Sequence, residues 1–354
     1  MPVSSVSEAE AHVTDSAGAR ATPAHNTNPW ALAFRRLRRK RAAVASIFLL
    51  LAIVGASLLA PIYAHDIAHV DPFKNNVTGT TVVDGRSVAL LQAGGGQLHL
   101  GEVPIGPTWD PRHYFLGADE QGRDVAARML YGGRTSLEIG VASAAICCLV
   151  ATLLGLLAGY FGGFLDGVLS RTMDGIWAFP VYLFAISLAT VLLTAPNGFV
   201  LGPIHIVASS LSLPIMIVAL VYIPYVYRPV RAQVLSIREK EFVEAAIAQG
   251  ASDLRVLLWD VLPNVVSVVI VLFPLMIATN ILTESALSFL SIGVQPPNAS
   301  WGTVIADGEG LLYTRPWVTI APTALIVLTV LSLNVLGDGF RDALDPRAKL
   351  RVDG

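Results

Sequence analysis

Charge is scarce in this 354-residue chain: only 14% of its residues are charged and 54% are hydrophobic, whereas soluble domains carry about 25% charged residues. That composition excludes an ordinary water-soluble enzyme and indicates a membrane protein. Nor does one sign dominate. The 24 basic and 26 acidic residues nearly cancel, so bulk charge cannot hold a polyanion and nucleic acid is disfavoured as a partner. The only cysteines, Cys147 and Cys148, are adjacent. They can build neither a disulfide framework nor a spaced metal site, and read as small apolar fillers of a buried helix. None of the four lysines (Lys40, Lys74, Lys240, Lys349) follows a glycine, so no G-x-x-x-x-G-K-[ST] phosphate loop exists. The seven histidines are scattered and no H-E-x-x-H occurs, which leaves a zinc hydrolase without support. His65 and His69, near Asp66 and Asp71, could form a metal pair only on a helix, which Pro61 and Pro72 limit. They read as solvated loop residues, and no cofactor or metal is expected.

What is abundant is long uncharged runs. A bilayer core about 30 Å thick needs about 20 apolar residues as helix, because lipid offers the backbone no hydrogen-bond partner. Six spans are predicted: 42–64, 139–161, 175–195, 206–227, 261–283 and 316–337. The third and fourth come from one stretch without Asp, Glu, Lys or Arg, divided at 195–198 and at Gly202-Pro203. An even number of spans leaves both termini on one side. Basic residues crowd the span ends at 35–41, 228–255 and 341–351, which predicts a cytoplasmic location for those segments and an extracytoplasmic one for 65–134. Residues 1–28 are polar and read as a disordered cytoplasmic tail rather than a cleavable signal. Trp30, Phe34 and Leu37 recur at helical spacing opposite the arginines, predicting an interfacial helix on anionic lipid.

Within the predicted spans the only ionisable residue is His205, at an edge. Pumps and ion-coupled carriers place charged groups at membrane depth, so energy is expected to enter from outside the membrane. The spans instead hold Pro214, Pro224, Pro263, Pro274 and Pro322, with Asn264, Asn280 and Asn334. Prolines free backbone carbonyls that neighbours or water must satisfy, which fits a wet, movable interior as well as the ordinary frequency of proline in membrane helices.

The segment 238–260, between spans four and five, is the most informative. Residues 240–249 are strong helix formers, Gly250 suits a left-handed helix end, and Ser252 can cap a second helix running through Leu254, Leu257 and Leu258 to Pro263. The result is a helix–glycine–helix elbow, a rigid peg with a flat surface at Ala245 and Ala246, shaped to enter another protein. Glu244-Ala245-Ala246-x3-Gly250-x9-Asp260-Val261-Leu262-Pro263 resembles the E-A-A-x3-G-x9-I-x-L-P signature of ABC importer permeases, whose helix in this loop docks on the ATP-hydrolysing subunit. Asp260 stands where that family often has a histidine, which leaves the elbow intact and removes one polar contact. Further segments resemble the branch that imports dipeptides, oligopeptides or nickel: 116–125 is similar to F-G-T-D-x-x-G-R-D-V, 284–290, 293–297 and 300–302 to the stretch after span five, 336–347 to the C-terminal ending, and Asn28-Pro29-Trp30 to the start of the second of the two permeases. Residues 75–105 look like an insertion, with 80–83, Asp84-Gly85 and 86–90 reading as a β-hairpin and Gly94-Gly95-Gly96 loosening the chain beyond it.

The resemblance implies an all-α polytopic protein of the type I ABC importer permease fold with six transmembrane helices, in the cytoplasmic (inner) membrane. It divides the chain into the tail 1–28, an interfacial helix and first span at 29–74, an extracytoplasmic loop at 75–133, a permease domain at 134–338 and a C-terminal tail at 339–354. It implies that Glu244, Ala245, Ala246, Gly250, Leu262 and Pro263 couple to the ATPase. The implied partners are a homologous second permease, two ATP-binding subunits, an extracytoplasmic substrate-binding protein and the lipid bilayer. No catalytic residue is expected. Asn280 and Asn334 should face the bundle interior or the partner permease, either tying helices together or offering rotatable hydrogen bonds to a passing peptide. The competing readings are an ion-coupled carrier or channel, which lacks charged ligands in the predicted spans, and a membrane-embedded enzyme, for which His205 alone supplies no constellation.

Overall fold

The computed structural model describes residue 35 and residues 37–83, 85–93, 101–194, 199–201, 204–206 and 211–344. The expected tail 1–28, Trp30 and Phe34 of the interfacial helix, Asp84, the glycines 94–96 and the C-terminal residues 345–354 lie outside these. Nine helices organise the described residues. Helix α1 (Arg41–Leu58) continues through one turn (Ala60–Ile62) into a π-helical turn (Tyr63–Ile67); α2 is Val125–Phe161, α3 Gly163–Trp177, α4 Val181–Leu193, α5 Ser212–Arg238 and α6 Glu241–Ala248. A turn (Asp253–Arg255) and a π-helical turn (Val256–Val261) then lead into α7 (Leu262–Phe289), followed by α8 (Trp301–Asp307) and α9 (Trp317–Leu344). Five helical segments are long and apolar enough to cross a membrane, and α3 with α4, bent by 91°, makes a sixth if the pair is one broken span.

Helix α2 is the axis of the bundle, packing on α5, α7 and α1. Its contact with α5 depends on small residues. A Cβ on Gly155 would stand 2.6 Å from Val230 Cγ1, and one on Gly159 would stand 2.7 Å from Val234 Cβ. Two glycines four apart on one helical face let the helix backbones approach, the arrangement that dispersion forces favour where no hydrophobic effect drives helices together. Ala151, Ala158, Val226 and Val230 are fully buried in the same core. Trp301 of α8, also fully buried, caps that core at the end where α2 begins, its Nε1 donating to Met129 O at 3.2 Å.

The start of α2 is set by Asp124, whose Oδ1 accepts from Ala127 N at 2.7 Å, a side-chain cap on orphan helix amides. Its other oxygen, Oδ2, is buried without a hydrogen-bond partner. Burial, with a smaller contribution from the Asp119 charge, pushes the Asp124 carboxyl from 3.8 up to about 6, against the opposing pull of the Ala127 and Ala126 amides. The folded chain therefore binds this proton more tightly than the unfolded chain. Its stabilising share is complete below pH 3.8 and is lost as pH rises through about 6. Asparagine caps equally well and carries no charge, so Asp124→Asn should stabilise by about 1–3 kcal/mol near pH 8 and by almost nothing near pH 4. Melting curves at the two pH values check this, and an equal gain at both would contradict it.

Four expectations about the spans are corrected. The helix that holds the second span begins at Val125, well before 139, because the charges at Arg128, Arg134 and Glu138 do not end a helix that Asp124 caps. The third, expected at 175–195, divides into α3 and α4 around Pro180, and α3 carries Asp166 and Asp174, which pair with Arg231 and Arg228 of α5 at 2.5 and 2.9 Å. Residues 204–206 form a strand, so His205 lies opposite Val200 in a hairpin of Phe199–Leu201 with Ile204–Ile206, and the fourth span starts only at Ser212. The fifth continues to Phe289 and encloses Glu284. The membrane-crossing helices therefore extend past the expected spans and carry ionisable groups there.

Leu37 is also placed differently from the lipid-facing expectation. It is buried and lies where a Cβ on Gly339 of α9 would meet it, beside an ion pair of Lys40 with Asp342. His65 Nδ1 lies 2.7 Å from Asp66 Oδ1, and His69 adopts a left-handed backbone. In the insertion, β1 (Thr80–Val83) pairs antiparallel with β2 (Arg86–Ala89), Thr80 opposite Ala89 and Val83 opposite Arg86, around Gly85 at φ 76°. A second hairpin, β3 (Leu91–Ala93) with β4 (Glu102–Pro104), had no turn signal to announce it. Fully buried Leu90 packs the pair of hairpins onto Ile105, Tyr114 and Ala118.

Candidate functional site

Helix α6 ends in a pattern that needs Gly250. The Ala251 amide donates to Ala246 O at 3.1 Å and the Gly250 amide to Ile247 O at 2.9 Å, with Gly250 at φ 82°. These are the two bonds of a Schellman ending, whose left-handed residue is glycine because a Cβ is strained there. The apolar contact that accompanies such an ending is made by Ala246 and Ala251, both packed against the main core beside fully buried Val243. Sequence reading put Ser252 as a capping side chain. It occupies the cap position with extended backbone, but its hydroxyl makes no capping bond.

After that turn the chain is not a plain helix. Val256–Val261 is π-helical and Pro263 follows at the start of α7. Proline has no N–H for the α-helical bond, so the widened turn falls where the ladder is already broken. Two bonds fasten the elbow to the end of α2: Arg238 Nη1 donates to Tyr160 O, and Tyr160 Oη to Asp253 Oδ1, each at 2.9 Å. Between α6 and the π turn lies an open groove of about 620 Å³ with Phe242, Ala245 and Ala246 on one wall and Arg255, Trp259 and Asp260 on the other. Trp259 is 77% exposed. The structure thus brings Glu244, Ala245 and Gly250 together on the exposed side of the elbow, with Ala246 half-buried, and puts Leu262 and Pro263 beyond the π turn at the foot of α7.

The two asparagines are placed differently from each other. Asn280 is fully buried; its Oδ1 accepts from Ser143 Oγ at 2.8 Å and Ala144 N at 3.0 Å and its Nδ2 donates to Met276 O at 3.2 Å, so the amide joins α7 to α2. Asn334 is half-buried beside a cavity of about 320 Å³ shared with Leu272, Leu275, Asp338 and Arg341, and its Oδ1 is buried without a hydrogen-bond partner.

Sequence reading missed Glu284, which is fully buried in α7. Its Oε2 accepts from Ser136 Oγ of α2 at 2.8 Å and its Oε1 from Ser288 Oγ at 2.7 Å, with Ser285 Oγ at 3.4 Å. Ser136 in turn accepts from Trp301 N at 3.1 Å and Ser288 from Val294 N at 3.0 Å. The carboxylate is thus the hub that holds α2, α7, α8 and the loop between the last two. The signal was present. Serines one and four residues after a glutamate, on an apolar run extending to Phe289, mark a carboxylate that its own helix can satisfy.

Comparison with known proteins agrees in one direction. Residues 151–350 match the model of the binding-protein-dependent transport system inner membrane component family. Residues 28–78 match the N-terminal TM domain of oligopeptide transport permease C. The chain is 33% identical over 322 residues to the dipeptide transport system permease protein DppC of Alkalihalophilus pseudofirmus, covering 91% of each chain. It is 35% identical to the oligopeptide transport system permease protein OppC of Haemophilus influenzae, covering 90% of this chain and 88% of that one. It is 34% identical to the glutathione transport system permease protein GsiD of Escherichia coli, covering 91% of each. Among solved structures, the inward-facing MetNI methionine ABC transporter matches with a TM-score of 0.50 at 15% identity, covering 61% of this chain and 96% of that chain.

Proposed function

The chain belongs to the binding-protein-dependent transport system inner membrane component family, and from that premise we propose that it forms half of a translocation pathway for short peptides and receives its drive through the elbow. It is the membrane component of an ABC importer of the type I permease fold. Its partners are a homologous second permease, two ATP-binding subunits and an extracytoplasmic substrate-binding protein, and this chain itself makes and breaks no bond. Glu284 removes the argument from charge-free spans against an ion-coupled carrier. Family membership carries that exclusion instead.

The observation that supports this reading best is the elbow: a short helix with a fixed left-handed ending, fastened to α2 by Arg238 and Tyr160, presenting Glu244, Ala245 and an open groove. Such a body transmits a push rather than absorbing it. ATP-driven closure of the two ATPases would move α6 and, through the π turn, α7, in an alternating-access cycle. The basic residues near the ends of α1, α5 and α9 support a cytoplasmic elbow and cytoplasmic termini. Asn280, bonded to Ser143, fits the helix-tying role, whereas the unpartnered Oδ1 of Asn334 beside a cavity fits the pathway role.

Reconstitution of the complete importer in proteoliposomes tests this. ATP turnover should rise when the binding protein and a dipeptide are supplied on the face from which an impermeant maleimide labels Ser87→Cys, and Lys240→Cys should label only from the other face. Turnover that ignores binding protein and peptide, or labelling of both cysteines from one face, would refute it.

A further inference from the structure

At the end of α2 far from the elbow, a chamber of about 580 Å³ opens between the 72–76 and 119–123 loops, α8 and the loop after α7. We propose that this chamber binds a short zwitterionic peptide, its carboxylate on Arg123 and Arg128 and its ammonium on Asp307. The proposal rests on the peptide reading above and adds a site on this chain for that substrate.

The volume lies within the range of about 300–1,000 Å³ usual for small-molecule sites. Both signs of charge line it. Arg128 is only 2% exposed and Arg123 9%, and burying two guanidinium groups side by side requires anions to compensate them. Asp119 is one, and it is saturated: its Oδ1 accepts from Gln121 N and Arg123 N, its Oδ2 from Arg123 Nε at 2.7 Å. Asp307 is the other, and it is the exchangeable one. Its side chain is 30% exposed, and it ends α8, where the helix dipole disfavours a carboxylate, so the two arginines hold it there. Both of their bonds, at 2.9 Å from Arg123 and 2.6 Å from Arg128, end on Oδ2.

Arg128 Nη1 donates to Pro72 O at 3.2 Å, and its buried Nε, ion-paired with Asp119 Oδ2 at 3.4 Å, makes no hydrogen bond, so the pairing around the two guanidinium groups is incomplete and open to rearrangement. A peptide carboxylate arriving at the guanidinium pair would let Asp307 turn toward the ammonium at the peptide's other end. Gln295 donates to Ser291 O and Gly293 O, each at 3.2 Å, so its own Oε1 is an acceptor for a peptide N–H. Phe73, set edge-on against Tyr131 at 5.1 Å, offers an apolar wall for a side chain. A simple anion would meet Asp307 and a simple cation would meet the arginines. A molecule with opposite charges at its two ends satisfies both.

The test uses the assembled importer in nanodiscs without binding protein, with labelled dialanine, dialanine amide and N-acetyl-dialanine in equilibrium dialysis. Dialanine should bind saturably, and both blocked forms at least about tenfold more weakly, as expected for loss of a charge-assisted bond. Arg123→Gln should weaken dialanine about tenfold while leaving the amide where it was, and Asp307→Asn should erase the difference between dialanine and its N-acetyl form. Loss of fold cannot produce those selective changes. Equal binding of all three peptides, or none, overturns the chamber. Uptake of dialanine by the complete importer with binding protein, measured alongside, tells that failure apart from a failure of the peptide reading itself.

Discussion

Replacing Gly250 with valine should cut ATP-driven transport at least about tenfold while costing the isolated chain only about 1–3 kcal/mol, the penalty for a non-glycine residue held in a left-handed conformation. The asymmetry follows from where the strain falls. A Cβ built at Gly250 meets nothing within 4 Å, so the penalty is chiefly one of backbone angle. The chain can relieve it by giving up the Gly250 and Ala251 amide bonds to Ile247 and Ala246. That relief unwinds the end of α6 and turns its exposed face, leaving the bundle untouched. Gly250→Asn is the control, because asparagine tolerates this conformation, and it should retain most of the activity. Transport and co-purification with the ATPase subunits are the measurements. A valine variant that transports and co-purifies normally would remove the elbow from the coupling path.

The larger stability effect is expected at Glu284. Truncation to alanine removes the acceptor of the Ser136 and Ser288 hydroxyls and leaves them in a fully buried site. With about 1–3 kcal/mol for each orphaned polar group, the loss should reach about 3–5 kcal/mol, enough to consume much of a marginal stability. Glu284→Gln keeps the shape and one carbonyl acceptor, and should cost less. Denaturation midpoints of the two variants in detergent check both the magnitude and the order. An alanine variant as stable as the parent would mean that the serines find other partners and that the hub binds nothing together.

The elements that sequence reading located are those in which one physical rule operates over many residues. Uncharged runs located the segments that became α1, α5, α7 and α9, and the run from Lys240 to Gly250 located α6 together with its ending. It failed where a tertiary partner overrode a local rule. The spans expected at 139–161 and 175–195 left Asp166 and Asp174 between them, yet Arg231 and Arg228 lie beside them on α5 and allow α3 to form there. Glu284 argued for the end of a span, yet serines from two helices satisfy it. The chamber could not be seen at all, because Arg123, Arg128 and Asp307 are brought together only by folding, across 184 positions between Arg123 and Asp307. Arginines close in sequence are common, and which carboxylate meets them is a question of topology.

Helix α2 runs unbroken for 37 residues, which at 1.5 Å per residue makes a rod of about 55 Å, nearly twice the hydrocarbon thickness. Arg128, beside the chamber, stands near one tip, and Tyr160, bonded to the elbow, near the other. No proline interrupts it and its glycines lie against neighbours, so a tilt at one tip would be passed on to the other. Pivoting by about 5° at one tip swings the other through about 5 Å over that length, more than a salt bridge can stretch. A small tilt at the elbow would thus displace the far end by several ångströms, together with the parts of α7 and α8 that Glu284 and Trp301 fasten to it.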